Sequence, residues 1–187
     1  DDIKYAKEFG YVIKLLGVAK NTEDGIEVKV HPMLIPNNHP LANVNDAFNA
    51  VFVHGKAMDD AMFMGRGAGQ MPTASAVVGD IIDVCRNIVH DSCGRIGCCC
   101  YKNLEVKDIT DTKSKFFLRL EVADKQGVLA NIASVLGNSG VSIAQVVQKS
   151  GKDGVAELVI ITAEVLEKNY NEDMAVLNGH SAVKNIA

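Results

Sequence analysis

The 187-residue sequence predicts an α+β protein in two parts: a mixed or antiparallel sheet with one covering helix, then a smaller β-α-β-β-α-β domain. Three observations predict it. Apolar residues recur along short runs in both parts, with clear alternation in the second, the period of half-buried strands. One long stripe at three- and four-residue spacing, Val77 to Val89, reads as a helix. Residues 90–114 show no clear period and separate the two parts.

Residues 11–19 (YVIKLLGVA) and 26–35 (IEVKVHPMLI) read as two strands joined by a polar turn, Asn21 to Gly25. Pro36 and Pro40 keep residues 36–46 irregular. Strands follow at 47–54 (AFNAVFVH) and 59–64 (DDAMFM), with Gly55 and Lys56 between them. After GRGAG, residues 65–69, a helix opens with Pro72 in its first turn, where a missing N–H costs nothing. Val77, Val78, Ile81, Ile82, Cys85, Ile88 and Val89 form its one buried face. From Lys115 the pattern turns regular. Phe116, Leu118, Leu120 and Val122 alternate as a strand, and Val128, Leu129, Ile132, Ala133 and Leu136 make a helical stripe that ends at Gly140. Residues 141–149 and 155–162 are β-rich, Leu166, Tyr170, Met174 and Leu177 mark a second helix, and a last strand begins near Val183. This is the split βαβ order, whose sheet buries one face under both helices.

Composition narrows the function. Hydrophobic residues make up 48% and charged residues 22%, an ordinary globular balance that excludes a disordered tail. No run reaches the roughly 18 apolar residues of a membrane helix. A net charge of −4 without a basic block offers nothing to nucleic acid or an anionic membrane surface. The chain opens on Asp1-Asp2 rather than Met, with no signal-peptide pattern, and reads as a piece of something longer. The five cysteines, Cys85, Cys93, Cys98, Cys99 and Cys100, are odd in number and three are adjacent, which suits reduced thiols in a cytoplasmic protein rather than a disulfide framework.

Three stretches could carry chemistry. Gly65-Arg66-Gly67-Ala68-Gly69 lies between a strand and a helix, where glycines permit close backbone approach and a helix start offers unpaired N–H groups. Its G-x-G-x-G spacing is not the dinucleotide fingerprint, and by spacing alone a tight strand-to-helix connection is the better reading. Asp124-Lys125-Gln126-Gly127-Val128-Leu129 opens the first helix of the second part, with Asp124 placed to cap it. His90-x-x-Cys93 and Cys98-Cys99-Cys100 lack the repeated paired spacing of a zinc site, so no metal is expected. His31, His39, His54 and His180 suggest neither a triad nor a metal, and no nucleophile-elbow or zincin motif occurs.

Longer stretches carry a resemblance. Residues 31–53 (HPMLIPNNHPLANVNDAFNAVFV) and 63–83 (FMGRGAGQMPTASAVVGDIID) closely resemble the C-terminal part of the catalytic region of homoserine dehydrogenase. Residues 5–20 (YAKEFGYVIKLLGVAK) resemble that family's segment after its substrate-binding helix. Residues 117–162, beginning FLRLEVADKQGVLANIASVLGNSGVSIAQV, resemble an ACT domain, a ferredoxin-like regulatory module. The resemblance implies residues 1–90 as catalytic and dimerisation region, 91–114 as a Cys-rich linker and 115–187 as the ACT domain.

It also implies NAD- or NADP-dependent interconversion of L-homoserine and L-aspartate 4-semialdehyde, toward threonine, isoleucine and methionine, in a homodimer or larger homo-oligomer. In the family the last glycine of the GRGAG stretch contacts the nicotinamide cofactor, which points to Gly69, with Gly65 and Gly67 shaping the loop. The Rossmann domain, the acid/base lysine and the homoserine-binding carboxylates would lie upstream of Asp1. No catalytic residue is therefore expected within the chain, Lys14 included, and the fragment alone should be inactive. ACT effector pockets imply Asp124, Gly127, Val128 and Leu129, with Ser142 from the second strand, and threonine as first ligand. Two positions depart from the pattern: Gln126 replaces the usual proline, and Ser142 stands where asparagine is common. The competing readings are a non-catalytic ACT-type amino-acid sensor and a thiol or zinc module around Cys93 to Cys100.

Overall fold

The computed structural model describes residues 1–94, 97–98, 102–151 and 153–187. They form two compact units: one of Asp1–Phe9, Leu15–Leu34 and Leu104–Ala187, the other of Gly10–Lys14 and Ile35–Asn103. The helix α1 is Asp2–Glu8, and the strands β1 and β2, Tyr11–Thr22 and Gly25–Pro36, pair as a hairpin. β3 (Phe48–Gly55) and β4 (Asp59–Arg66) precede α2 (Gln70–Val89). The remainder is β5 (Lys113–Ser114), β6 (Phe117–Ala123), α3 (Val128–Asn138), β7 (Ile143–Ser150), β8 (Val155–Thr162), β9 (Val165–Leu166), α4 (Glu167–Asn178) and β10 (Val183–Ile186).

The first unit is built on a four-stranded sheet in the order β10-β6-β8-β7. β6 and β7 each pair antiparallel with β8, so they run parallel to one another, joined by α3. The alternation of β6 fixes its register. Leu118, Leu120 and Val122 face Ile160, Leu158 and Ala156 across the ladder, and all six are buried with Val128, Ile132 and Leu136 of α3 and Leu177 of α4. Fully burying such a side chain is worth about 1.5–3 kcal/mol. α3 ends where Gly140 turns left-handed at φ +77° and Val141 N–H reaches back to Leu136. The sequence-derived β-α-β-β-α-β order holds throughout this part.

The other face of that sheet is also covered, which periodicity did not anticipate. Val159 and Ile161 point away from α3 and α4 yet are 0% and 6% exposed. Helix α1 lies on this face. Its Tyr5 hydroxyl donates to Glu157, Arg119 Nε donates to Asp2 Oδ1 at 2.6 Å, and Lys149 Nζ reaches Glu8 at 2.6 Å. Tyr5 and Ala6 are buried at 4% and 1% exposure.

The tip of the β1–β2 hairpin belongs to the same unit. Ile26 forms a parallel bridge with Val106, and Gly25 takes φ +135° against the Glu105 carbonyl, where a Cβ would lie 2.9 Å from the oxygen. Buried Glu27 pairs with Lys107 at 3.5 Å, and Lys29 donates to Ser114. β5 pairs with β9, so residues 104–114 are folded onto neighbours rather than left bare.

In the second unit β3 and β4 pair from Phe48↔Arg66 to Gly55↔Asp59. Lys14 donates to the Val44 carbonyl and to Asn45 Oδ1, tying β1 to the turn after Pro40–Asn43. The expected buried face of α2 is not buried. The helix has no buried residue, and Val77, Ile81, Ile88 and Val89 are more than half exposed. Amphipathic spacing encodes that a face is to be covered, not that residues of the same stretch of chain cover it. Phe63, Met64 and Val51 of the hairpin are likewise exposed.

Candidate functional site

The glycine stretch joins β4 to α2, and its three glycines have different causes. Gly69 is the N-cap of α2 with φ +123°, which L side chains rarely adopt. No side chain caps this helix and its first turn holds no acidic residue. The Gln70 and Met71 N–H groups therefore remain open to an external acceptor, while Pro72 has none to offer. Gly67 is required by crowding: a Cβ there would fall 1.8 Å from Asn49 Nδ2, and its own N–H donates to Ala47 at 2.9 Å. At Gly65 a Cβ would meet nothing within 4 Å, so the backbone faces open space. Arg66 lies 5.2 Å over the Phe48 ring. An acceptor group brought close to this backbone would meet the Gln70 and Met71 N–H groups.

Asn49 escaped the sequence reading. It is the one polar residue in AFNAVFV and pairs across the ladder with Gly65, a signal that was available. His54 and Asp60 meet at 2.7 Å on the same hairpin, but both are well exposed and such a surface pair contributes little.

In the first unit, Asp124 follows β6 and its N–H donates to Gly154. Its expected capping of α3 does not occur. The N-cap is Gly127 in the left-handed region at φ +83°, and α3 has no side-chain cap, because the chain turns three residues after Asp124. Val128 is buried and Leu129 is 38% exposed. Val128 N–H turns back to the Lys125 carbonyl at 3.4 Å, so the α3 start leaves the Leu129 and Ala130 N–H groups open beside an exposed carboxylate. Ser142 is elsewhere. It precedes β7, which starts opposite Thr162, whereas Ala123 at the end of β6 pairs with Val155. Within one chain the loop 124–129 and Ser142 sit at opposite ends of the sheet, separated by a strand length of roughly 20 Å. They do not share a pocket in one copy.

Cys85, Cys93 and Cys98 are exposed, and Cys99 and Cys100 lie outside the described residues. Among the described residues no three His, Cys, Asp or Glu side chains are grouped to hold a metal ion. Nor, among them, is any helix long and apolar enough to cross a membrane.

Residues 1–82 match the family model for homoserine dehydrogenase. The homoserine dehydrogenase of Pseudomonas aeruginosa is 38% identical over 97% of this chain and 44% of its own length, and that of Neisseria gonorrhoeae 40% over 98% and 43%. A crystal structure of a homoserine dehydrogenase from Thiobacillus denitrificans superposes with a TM-score of 0.89 at 38% identity, covering all of this chain and 43% of that one. This chain belongs to the homoserine dehydrogenase family. It corresponds to the C-terminal region, spans about 43% of the length of the solved relative, and carries a β-α-β-β-α-β fold in its second part. A Staphylococcus aureus homoserine dehydrogenase, at 27% identity, superposes with a TM-score of 0.59.

Proposed function

We propose that residues 1–187 supply the cofactor-contact loop and the regulatory domain of an NAD(P)-dependent homoserine dehydrogenase. The supporting observation is the loop 65–69, with its positive-φ Gly69 at the uncapped start of a 20-residue helix, in a chain of this family. Bound NAD(P) would supply the hydride acceptor for oxidation of the homoserine alcohol to the aldehyde, the hydroxyl proton going to a base. The chain's part is to bring the Gly69 backbone and the Gln70 and Met71 N–H groups against the cofactor. The proton acceptor and the main nucleotide site belong to the longer protein. The exposed face of α2, and that of the β3–β4 hairpin, are covered there by the missing region or by a second copy.

The test has two arms. Residues 1–187 alone should show no NAD(P)-linked oxidation of homoserine, and measurable turnover overturns the division of labour. In the full-length enzyme Gly69→Val should raise the cofactor KM about tenfold or more, since both the positive φ and the close approach are lost. An unchanged KM removes Gly69 from the site.

The second half of the proposal is an amino-acid effector, threonine first, at Asp124, Gly127, Val128 and Leu129. Free N–H groups at the α3 start suit a carboxylate and Asp124 an ammonium group. Titration calorimetry with threonine, methionine, isoleucine and lysine tests it, and silence from all four leaves a domain that only associates.

A further inference from the structure

The network beneath α1 contacts neither the cofactor loop nor the effector loop. Tyr5 donates to Glu157 Oε2, Arg119 Nη1 donates to Glu157 Oε1 at 3.0 Å and Nε to Asp2 Oδ1 at 2.6 Å. Lys149 Nζ binds both oxygens of Glu8 and lies 4.5 Å from the Tyr5 ring centroid. Three strands are gripped at once: Arg119 is on β6, Glu157 on β8 and Lys149 on β7. Glu121 stands directly opposite Glu157 in the ladder, a like-charge pair that costs stability unless cations flank it. Arg119 and Lys149 flank it.

Two features make this a movable part. A seven-residue helix is not stable alone, so α1 is helical only while the sheet holds it. And the two strands that hold Tyr5 and Asp2 are those whose ends meet at the loop 124–129. β6 runs from Arg119 into Asp124, and Asp124 N–H bonds the carbonyl of Gly154, three residues before Glu157. At its other end α1 leads through Phe9 into Gly10, where the chain enters the other unit. A docked and a released α1 would be two discrete states that events at either end could bias, which is what coupling between sites requires.

We propose that α1 is a transmission helix: effector occupancy at the end of β6 alters its grip on the sheet, and the chain carries that change past Gly10 into the catalytic part. This rests on the effector reading above. The test uses the full-length enzyme and the double variant Asp2→Asn/Tyr5→Phe. The variant should turn over within about twofold of wild type without effector, bind the effector within about threefold by calorimetry, and need at least about tenfold more effector for half-inhibition, a change of about 1.4 kcal/mol in coupling. In wild type, amide exchange at residues 2–8 should change by about tenfold or more on saturation with effector. Half-inhibition unmoved in a variant whose residues 2–8 exchange fast overturns the proposal. So does exchange at 2–8 that ignores the effector in wild type, a measurement that decides even if the variant fails to fold. Calorimetric silence toward threonine, methionine, isoleucine and lysine overturns the effector reading and this proposal together, whereas binding with inhibition unmoved overturns the helix's role alone.

Discussion

Asn49 and Gly67 make the most direct test of how the cofactor loop is held. A methyl group on Gly67 would fall 1.8 Å from Asn49 Nδ2 and 2.5 Å from Cγ, so one of them must give way. Overpacking of this kind costs about 1–3 kcal/mol. Gly67→Ala in the full-length enzyme should accordingly raise the cofactor KM about tenfold, and adding Asn49→Gly should bring it back within about threefold. Steady-state kinetics of the single and double variants check this, and a double variant no better than the single one would mean that Asn49 does not set the loop. Glu157 offers a pH test. The Tyr5 hydroxyl and then Arg119 hold its carboxyl below the usual range, against burial. A carboxylate with a depressed folded pKa stabilises above its unfolded value of about 4.3, and that stability is lost as pH falls through the folded value. Glu157→Gln should therefore melt several degrees lower at pH 7, for a loss of about 1–2 kcal/mol, with the gap closing below about pH 4. Asp173 has the opposite sign. It is 1% exposed with Oδ2 unpartnered among the described residues, and burial raises its pKa. Its contribution is lost as pH rises, so the Tm advantage of Asp173→Asn over wild type should grow from pH 4 to pH 7, by on the order of 1 kcal/mol. Of these residues the sequence offered only Gly67, as a loop shaper; the reason for it lies in a side chain 18 positions earlier.

Among the elements, β6, α3, β7, β8, α4 and β10 were legible because each presents an apolar face or stripe to the core between sheet and helices, whereas the two-residue β9 and the burial of Val159 and Ile161 on the other face of β8 were not. Helix α1 was not, because DIKYAKE has no stripe, and what holds it is tertiary: Glu157 lies 152 residues from Tyr5 and Arg119 lies 117 from Asp2. The same contacts push the Tyr5 hydroxyl up to about 12, through burial first and Glu157 second. A raised folded pKa means that this stabilisation is full below about pH 10 and is lost as pH rises through about 12, so residues 2–8 should lose amide protection over that interval before the β6–β8 core does. For α2 the helical period was legible, but no described residue of this chain buries its apolar face. Because Ile81 and Ile88 are 56% and 65% exposed, Ile81→Lys/Ile88→Lys should leave the Tm of residues 1–187 within about 1–2 °C while reducing self-association. In the full-length enzyme the same pair should cost several kcal/mol, because two ammonium groups would be driven into a covered face. Light scattering and thermal melts of both lengths check it, and equal effects in the two would mean that α2 stays bare.

At the scale of the whole molecule, family and fold order were readable from 187 residues because two long matching stretches occur in sequence. The division of the chain was less so, since units follow contact in space: Asp1–Phe9 and Leu15–Leu34 cluster with residues 104–187. The cores are unequal, the unit with the four-stranded sheet holding nearly all the fully buried side chains. Residues 1–187 should therefore unfold in at least two steps, with amides of α2 exchanging well before those of β6 and β8, as hydrogen exchange would show. A last consequence follows from β6 and β7 running parallel. If Ser142 and the loop 124–129 both touch one effector, they come from different copies, and a twofold axis that makes one such pair makes a second identical one. Effectors would then bind two per pair of chains. Each ligand would act as a rivet between copies, and diluting the protein would weaken apparent affinity, since separated chains carry only half of each site. A titration repeated across a hundredfold range of protein concentration would show a drifting midpoint for a site shared between copies and a fixed one for a site complete within each chain.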